Sequence, residues 1–385
     1  MKKNTFYLLF LMTLISSISF SQTTIEVVNQ YPFDRTNEIV EINIQELGGY
    51  KTANFILKDQ NNQEIPYQFL YKGDKTPQAL VFPATVLKGT KSVYTVIEGS
   101  PKKVTPKTFA RFVPERKDDF AWENDLAAYR MYGPGLLAEN PSNGVDLWLK
   151  KTDKLVVDSF YRGELKYGKS YHKDHGQGLD CYKVGKTLGA GGVAPYINGS
   201  LLVGNHFNSY KILESGPLRT EFLLTYDTVN INGIMFKQEI TISTDAETTL
   251  NKAVVKLIGE RQLIQLATGI ALHDGKGKLQ KAPGLMIYGE NAVSDADKSA
   301  VGNSYVGIVL QNPEDGYKIV NVNGLQVLYL SNYMVGNEFT YYFGGGWSQW
   351  KFPTQQDWLN SVQDFSKRVK YPLSVKVVQN IPETK

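Results

Sequence analysis

The sequence predicts a mostly β protein: a small N-terminal β-sandwich, then a large antiparallel two-sheet (super-sandwich-like) domain with one C-terminal helix. Three observations carry that prediction. Aromatics are plentiful, with 23 Tyr, 18 Phe and 5 Trp among 385 residues, and 34 Gly accompany them. Rings suit pleated surfaces and glycines suit turns. Short runs also alternate apolar and polar residues with the period of a strand, and only one segment has a convincing helical repeat.

Residues 1–21 read as a signal peptide. Lys2 and Lys3 precede an apolar run from Phe6 to Ile15, and Ser19-Phe20-Ser21 sets small residues where a signal peptidase cuts, before Gln22. That run is shorter than the ~20 residues that span a bilayer. The mature chain is therefore expected to be exported to the periplasm, with no membrane span.

Residues 22–100 read as the N-terminal sandwich. Val40, Ile42 and Ile44 alternate with Glu41, Asn43 and Gln45, the mark of a half-buried strand. Asp59 to Gln63 turns the chain between Phe55-Ile56-Leu57 and the stretch Ile65 to Tyr71, and Val93 to Ile97 closes the unit. It holds no His and no dense polar cluster, which assigns it a structural or positioning role. Gly99 to Pro106, with two prolines, reads as a linker.

Residues 109–385 read as the large catalytic domain. Strands are expected over Thr220 to Tyr226, Met235 to Ser243, Leu250 to Ile258, Tyr305 to Leu310, Gln326 to Leu330 and Phe339 to Phe343, with Asn232-Gly233 as a hairpin turn. So many antiparallel strands fit two stacked sheets better than a barrel with alternating helices. Thr354 and Asp357 form a capping box, and Trp358, Val362, Phe365 and Val369 then share one helical stripe up to Pro372.

Several function classes are excluded. The chain has 42 Lys+Arg against 38 Asp+Glu, a net charge of +4, and the basic residues are scattered, so no nucleic-acid partner is expected. Cys181 is alone, so no intrachain disulfide can form, and it reads as a packing residue. Gly185-Lys186-Thr187 ends like a phosphate loop, but Asp180 stands at the required first glycine. Gly176-Gln177-Gly178 lacks its third glycine, because Cys181 stands there. There is no C-x-x-C, no H-E-x-x-H and no G-x-S-x-G.

Chemistry concentrates in a few stretches. Residues 171–183 gather Tyr171, His172, Lys173, Asp174, His175, Asp180, Tyr182 and Lys183, with glycines that argue for a loop. That density of groups able to take and return protons suggests proton transfer. A metal reading competes, with His172, His175 and Asp174 as ligands of a divalent cation. In the stretch Pro114 to Gly133, Arg116 and Arg130 are candidates to clamp a carboxylate or sulfate, and Trp122 offers a flat face to a sugar ring; a surface ion-pair network is the alternative. His206 and His273 each follow an apolar run that reads as a strand end facing a cleft. Gly344-Gly345-Gly346-Trp347 reads either as a sugar-stacking rim or as a packed turn before the helix.

Two of these stretches, Arg111 to Asp125 and Tyr171 to Asp180, resemble the signatures of the domain-of-unknown-function 4861 family, and the likeness extends over nearly the whole mature chain. The resemblance implies an exported carbohydrate-active dehydratase from a polysaccharide-utilisation locus. Such an enzyme removes water from the non-reducing-end uronic acid of ulvan-type oligosaccharides and leaves a 4,5-unsaturated uronate. Its partners would be anionic, uronate-containing oligosaccharides; no cofactor is required, with a divalent cation as the open alternative. Elimination needs the carboxylate neutralised, a base for the C5 proton and an acid for the leaving hydroxyl. Chemistry then assigns His175 or Tyr171 as base and His172 or Tyr182 as acid, with Lys183, Lys173, Arg116 and Arg130 holding anionic groups and Trp122, His206 and His273 as further substrate contacts. A polysaccharide lyase, a uronate epimerase and a non-catalytic glycan-binding protein are the competing readings.

Overall fold

The computed structural model describes residues 23–379, apart from 51–53, 140, 143, 203, 232, 313–315 and 322–323. The signal peptide expected over residues 1–21 lies outside them. The described chain is dominated by antiparallel strands, as the sequence predicts.

The N-terminal sandwich pairs a five-stranded sheet with a three-stranded one. Val40 and Ile42 on the strand Arg35–Asn43 turn inward while Glu41 and Asn43 face water. They meet Ile25, Val27, Phe55, Leu57, Leu80, Phe82, Tyr94 and Val96 in one core, and burying each large side chain of this kind contributes about 1.5–3 kcal/mol. One boundary differs from the sequence reading. The last strand, Ser374–Gln379, returns to this sandwich and pairs antiparallel with Thr23–Val28. The large unit therefore ends with the helix, and the tail completes the small one, because Val375 and Val377 supply apolar side chains packed against its core.

In the large unit, a nine-stranded sheet faces a layer made from two five-stranded sheets. A parallel bridge between Val145 and Gly189 links those two sheets. Both pack on the same strand, Glu338–Trp347: a Cβ on Gly345 would lie 2.3 Å from Leu147 of one, and a Cβ on Gly191 of the other would lie 2.5 Å from Phe343. The glycine run is thus neither a sugar rim nor a turn. It lies inside a buried strand where side chains would force the layers apart.

The helix Gln355–Lys370 carries the predicted capping box, Thr354 with Asp357, and lays Trp358 and Val362 onto Leu285, Ile287 and Tyr305. A second helix, Val157–Tyr167, was not legible in the sequence. Its N-cap residue is Val156, which has no side-chain oxygen to offer. The buried Glu123 carboxylate instead accepts from the backbone N–H groups of Val156 and Val157 at 2.8 Å, so the cap comes from a strand far away in sequence. Lys150, bonded to Glu123 at 2.8 Å, balances that charge.

Candidate functional site

Four hydrogen-bonded strands build the base of the site. Arg130 stands opposite Asp146, and Trp148 stands opposite Asp180. Directly opposed residues share a sheet face, and alternate residues along a strand return to it. Arg130, Asp146, Trp148 and Asp180 therefore lie on one face, while Tyr129, Leu147, Leu149 and Leu179 point into the main core from the other. The helix Val157–Tyr167 and Tyr171 cover the charged face through contacts with Trp148.

Under that cover Arg130 is 3% exposed and contacts Asp146 at 2.6 Å, Asp180 at 2.9 Å and Asp119 at 3.7 Å. Its guanidinium also lies over the rings of Tyr132, Trp148 and Tyr171. Arg116 reaches Asp119 at 3.3 Å. Three carboxylates thus face two guanidiniums. Burial pushes the Asp180 carboxyl well above the usual carboxylate range, and the neighbouring Asp146 adds to the rise. Asp119 is raised by burial as well, against the pull of Arg130 and Arg116. One proton held among the three acids would make the group neutral. Arg116 Nη1 and Asp119 Oδ2 face each other as an ion pair, and Asp146 Oδ1 is buried without a hydrogen-bond partner among the described residues. The chamber is thus polar and closely paired, with one carboxylate oxygen left over.

The rim comes from the predicted loop. The Tyr171 hydroxyl accepts from Arg130 Nη1 at 3.4 Å and also engages Arg116. His172 lies against Tyr171, ring centroids 4.6 Å apart, and its side chain is 36% exposed. His172 Nδ1 is 2.9 Å from the Asp180 carbonyl oxygen. A carbonyl only accepts, so Nδ1 carries a proton, and the lone pair of the neutral ring is on Nε2. Among the described residues Nε2 has no hydrogen-bond partner.

The other members of the loop separate from this centre. His175 is exposed and turns its Nε2 to the Ser170 carbonyl at 3.0 Å. Asp174 accepts from the N–H groups of Gly176 and Gly178 and pairs with Lys151. His172, His175 and Asp174 therefore do not converge as metal ligands, and no group of three donor side chains suited to a metal occurs among the described residues. Lys173 faces Asp297 at 3.8 Å, and Lys183 faces Asp295 at 3.1 Å.

Beyond Asp180 the chain runs into a cleft of about 820 Å³, where Cys181, Tyr182 and Lys183 meet His273, Glu290 and Asn291. His273 Nδ1 bonds Glu290 at 2.5 Å and Nε2 bonds the Lys183 carbonyl at 2.7 Å. Burial lowers the His273 pKa, but the Glu290 hydrogen bond and charge outweigh it, with a net rise. The Cys181 thiol is pushed up by burial, in keeping with a packing residue.

Four predicted roles need correction. Trp122 is 0% exposed, packed against Tyr129 and Phe222, and donates to Asn251 at 3.1 Å, so no sugar can reach its face. The Tyr182 hydroxyl donates into the interior, to Gly189 O at 3.1 Å, which removes it as a general acid. His206 Nδ1 is 2.7 Å from Gly133 O and Nε2 accepts from Ser142 N at 2.9 Å, so it ties two loops together instead of facing a cleft. Arg130 is enclosed by acids and rings and supports the chamber from below; Arg116, 24% exposed, is the arginine at the rim.

The residues missing from the sequence reading are Asp119, Asp146 and Tyr161 in the chamber and Glu290 in the cleft. One signal was available. Asp146 and Lys150 interrupt the strand Val145–Lys150, which is buried at all six positions, and charge in such a strand must be paired.

The chain belongs to the family described as "Domain of unknown function (DUF4861)", whose family model matches residues 27–375. It is 29% identical over 372 residues to "Uncharacterized protein P7" of Formosa agariphila, covering 92% of this chain and 93% of that protein. Among solved structures it is similar to an alpha-mannosidase from Enterococcus faecalis, with a TM-score of 0.50 and 8% identity over 94% of this chain and 46% of the mannosidase. A glycosyl hydrolase family 38 protein from the same organism aligns with a TM-score of 0.49, 8% identity and coverage of 95% and 48%. The chain thus spans about half the length of these two proteins, and its likeness to the alpha-mannosidase is one of fold.

Proposed function

We propose that this protein is an exported, periplasmic, carbohydrate-active hydro-lyase acting on the non-reducing-end uronate of ulvan-type oligosaccharides. One observation carries the reading. The two stretches that resemble the family's signatures, about 50 residues apart, meet in one place: Arg116 and Asp119 from the first, Tyr171, His172 and Asp180 from the second. A cation, a hydroxyl and a free imidazole nitrogen at one rim are what elimination from a uronate needs.

Arg116 neutralises the carboxylate, so that charge can build up at C5. His172 Nε2 takes the C5 proton, the reverse of the acid role chemistry first assigned it, because its Nδ1–H is committed to the Asp180 carbonyl. The C5–H electrons form the C4–C5 double bond, the C4–O bond breaks, and the Tyr171 hydroxyl delivers the proton that lets the oxygen leave as water. Tyr171 then regains its proton and His172 loses one, which restores the resting protein. Asp180 holds both His172, through its carbonyl, and Arg130, through its carboxyl.

The test is purified mature protein with saturated, uronate-ended oligosaccharides, followed by absorbance in the conjugated-enoate band and by mass. A product lighter by one water is expected, and His172→Ala should lower turnover by ~100-fold or more. Chain fragmentation with new absorbance would make the protein a lyase. Solvent-deuterium uptake at C5 without mass loss in ordinary water would make it an epimerase. Binding with neither change would leave a glycan-binding protein, and wild-type turnover in His172→Ala would end the residue assignment.

A further inference from the structure

The cleft beside His273 is separate from the Arg116–Tyr171–His172 centre but shares a wall with it. Cys181, Tyr182 and Lys183 line the cleft, while Asp180, the preceding residue, bonds Arg130. From the opposite side Asn291, Ala292 and Val293 line it, and Ser294, the next residue, donates to the His172 carbonyl at 3.1 Å.

The lining is cationic. Lys183, Lys276, Lys278 and His273 stand against Asp274 and Glu290. Both nitrogens of His273 face acceptors, a carboxylate and a carbonyl, so both carry protons and the ring is an imidazolium. The lining has four cations and two carboxylates, and Asp295 just outside it answers Lys183, so an excess of one positive charge remains. Lys183 and Lys276 each have a carboxylate neighbour, at 3.1 and 3.4 Å, whereas Lys278 has no ion-pair partner among the described residues. The remaining walls offer the Asn291 and Asn303 amides and the rings of Tyr182 and Tyr305. The volume of about 820 Å³ lies within the usual ~300–1,000 Å³ of ligand sites.

We propose that this cleft is a subsite for an anionic sugar residue, bearing sulfate or carboxylate, next to the residue held at His172 and Arg116. Three flexible ammonium groups and one fixed imidazolium form a point-charge field for a tetrahedral or planar anion, and the amides and rings suit a pyranose. The placement beside a reacting sugar rests on the function proposed above. The charge and shape of the cleft do not.

Calorimetry with the His172→Ala protein, expected to bind with turnover slowed ~100-fold, measures binding apart from reaction, and the wild-type protein reports water loss. The probes are a sulfated, uronate-ended oligosaccharide and the same oligosaccharide after desulfation. Adding Lys183→Ala, Lys276→Ala and Lys278→Ala should weaken binding of the sulfated probe by about 10-fold or more and flatten its dependence on salt. These side chains are exposed, so an unchanged melting curve certifies the fold. A loss of affinity on desulfation would identify sulfate as the group bound, and retained affinity would identify the carboxylate. Equal affinity for either probe with and without the three lysines would overturn the proposal. If the lysines matter for binding but no oligosaccharide loses water, the hydro-lyase reading fails while the subsite stands.

Discussion

Arg130→Met keeps the unbranched apolar stem of the side chain and removes its charged guanidinium. The guanidinium now lies 2.6, 2.9 and 3.7 Å from Asp146, Asp180 and Asp119, whose side chains are at most 3% exposed. Without it, three carboxylates share a buried space with Arg116 alone. Breaking a buried ion pair from one side costs about 3–5 kcal/mol. For roughly 350 ordered residues the unfolding entropy is near 0.7 kcal/mol/K, so the melting temperature should fall by about 4–7 °C. Scanning calorimetry at neutral pH measures this, and the deficit should shrink in acid. Buried carboxyls with raised pKa values bind protons more tightly folded than unfolded. The stability they contribute is present below the unfolded Asp value, ~3.9, and is lost as pH rises through the raised folded value. The double variant Arg130→Met/Asp146→Asn should recover part of the loss, since it leaves one fewer unanswered charge. A melting temperature within about 1 °C of wild type would refute the reasoning, for it would mean that water, and not Arg130, stabilises these acids.

Two further outcomes follow from the same contacts. The His273–Glu290 bond raises the His273 pKa, so its contribution is complete below the unfolded His value, ~6.5, and is lost as pH rises through the folded one; His273→Gln should be destabilised more at pH 6 than at pH 9, and an equal loss at both would show that His273 is neutral. Deleting the chain after Tyr371 removes the strand paired with Thr23–Val28 and uncovers part of the small core, so the N-terminal sandwich should melt separately and bind a hydrophobic dye, whereas a single unchanged transition would show that the last strand adds nothing.

What could be read in the sequence was what repeats locally. The alternation at Val40 and Ile42 and the box at Thr354 and Asp357 are signals a few residues long, and the structure contains both. The strands expected around 220–226, 235–243 and 339–343 are present and longer than expected. What could not be read depends on distant partners. The cap of the helix Val157–Tyr167 is Glu123, and the partners of Arg130 lie on three other strands. The tail's return to the first sheet is of the same kind. At the site, residue type located the right loop, but burial sorted its members. A ring such as Trp122 and an imidazole such as His206 look alike in a sequence whether they meet substrate or fill a core.

Burial also explains why the charged chamber and the reactive rim are different residues. Apolar side chains in place of Arg130 and its acids would make this face as stable or more so, because a buried ion pair recovers its desolvation cost only with good geometry. Stability is therefore a poor account of the network. Its geometry has another consequence: Tyr171 is held by Trp148 and Arg130, and His172 by the Asp180 carbonyl, whose own carboxyl is fixed on Arg130. Two rim groups that would otherwise ride on a glycine-rich loop are thereby fixed to a sheet. Proton transfer falls off steeply when the acid or base is misplaced by an ångström. On this argument Asp180→Asn, which keeps the carbonyl and the shape, should leave substrate affinity close to wild type and lower turnover, because it weakens the hold on Arg130 without removing a group that touches the sugar. Equal loss in both quantities would place Asp180 among the binding groups instead.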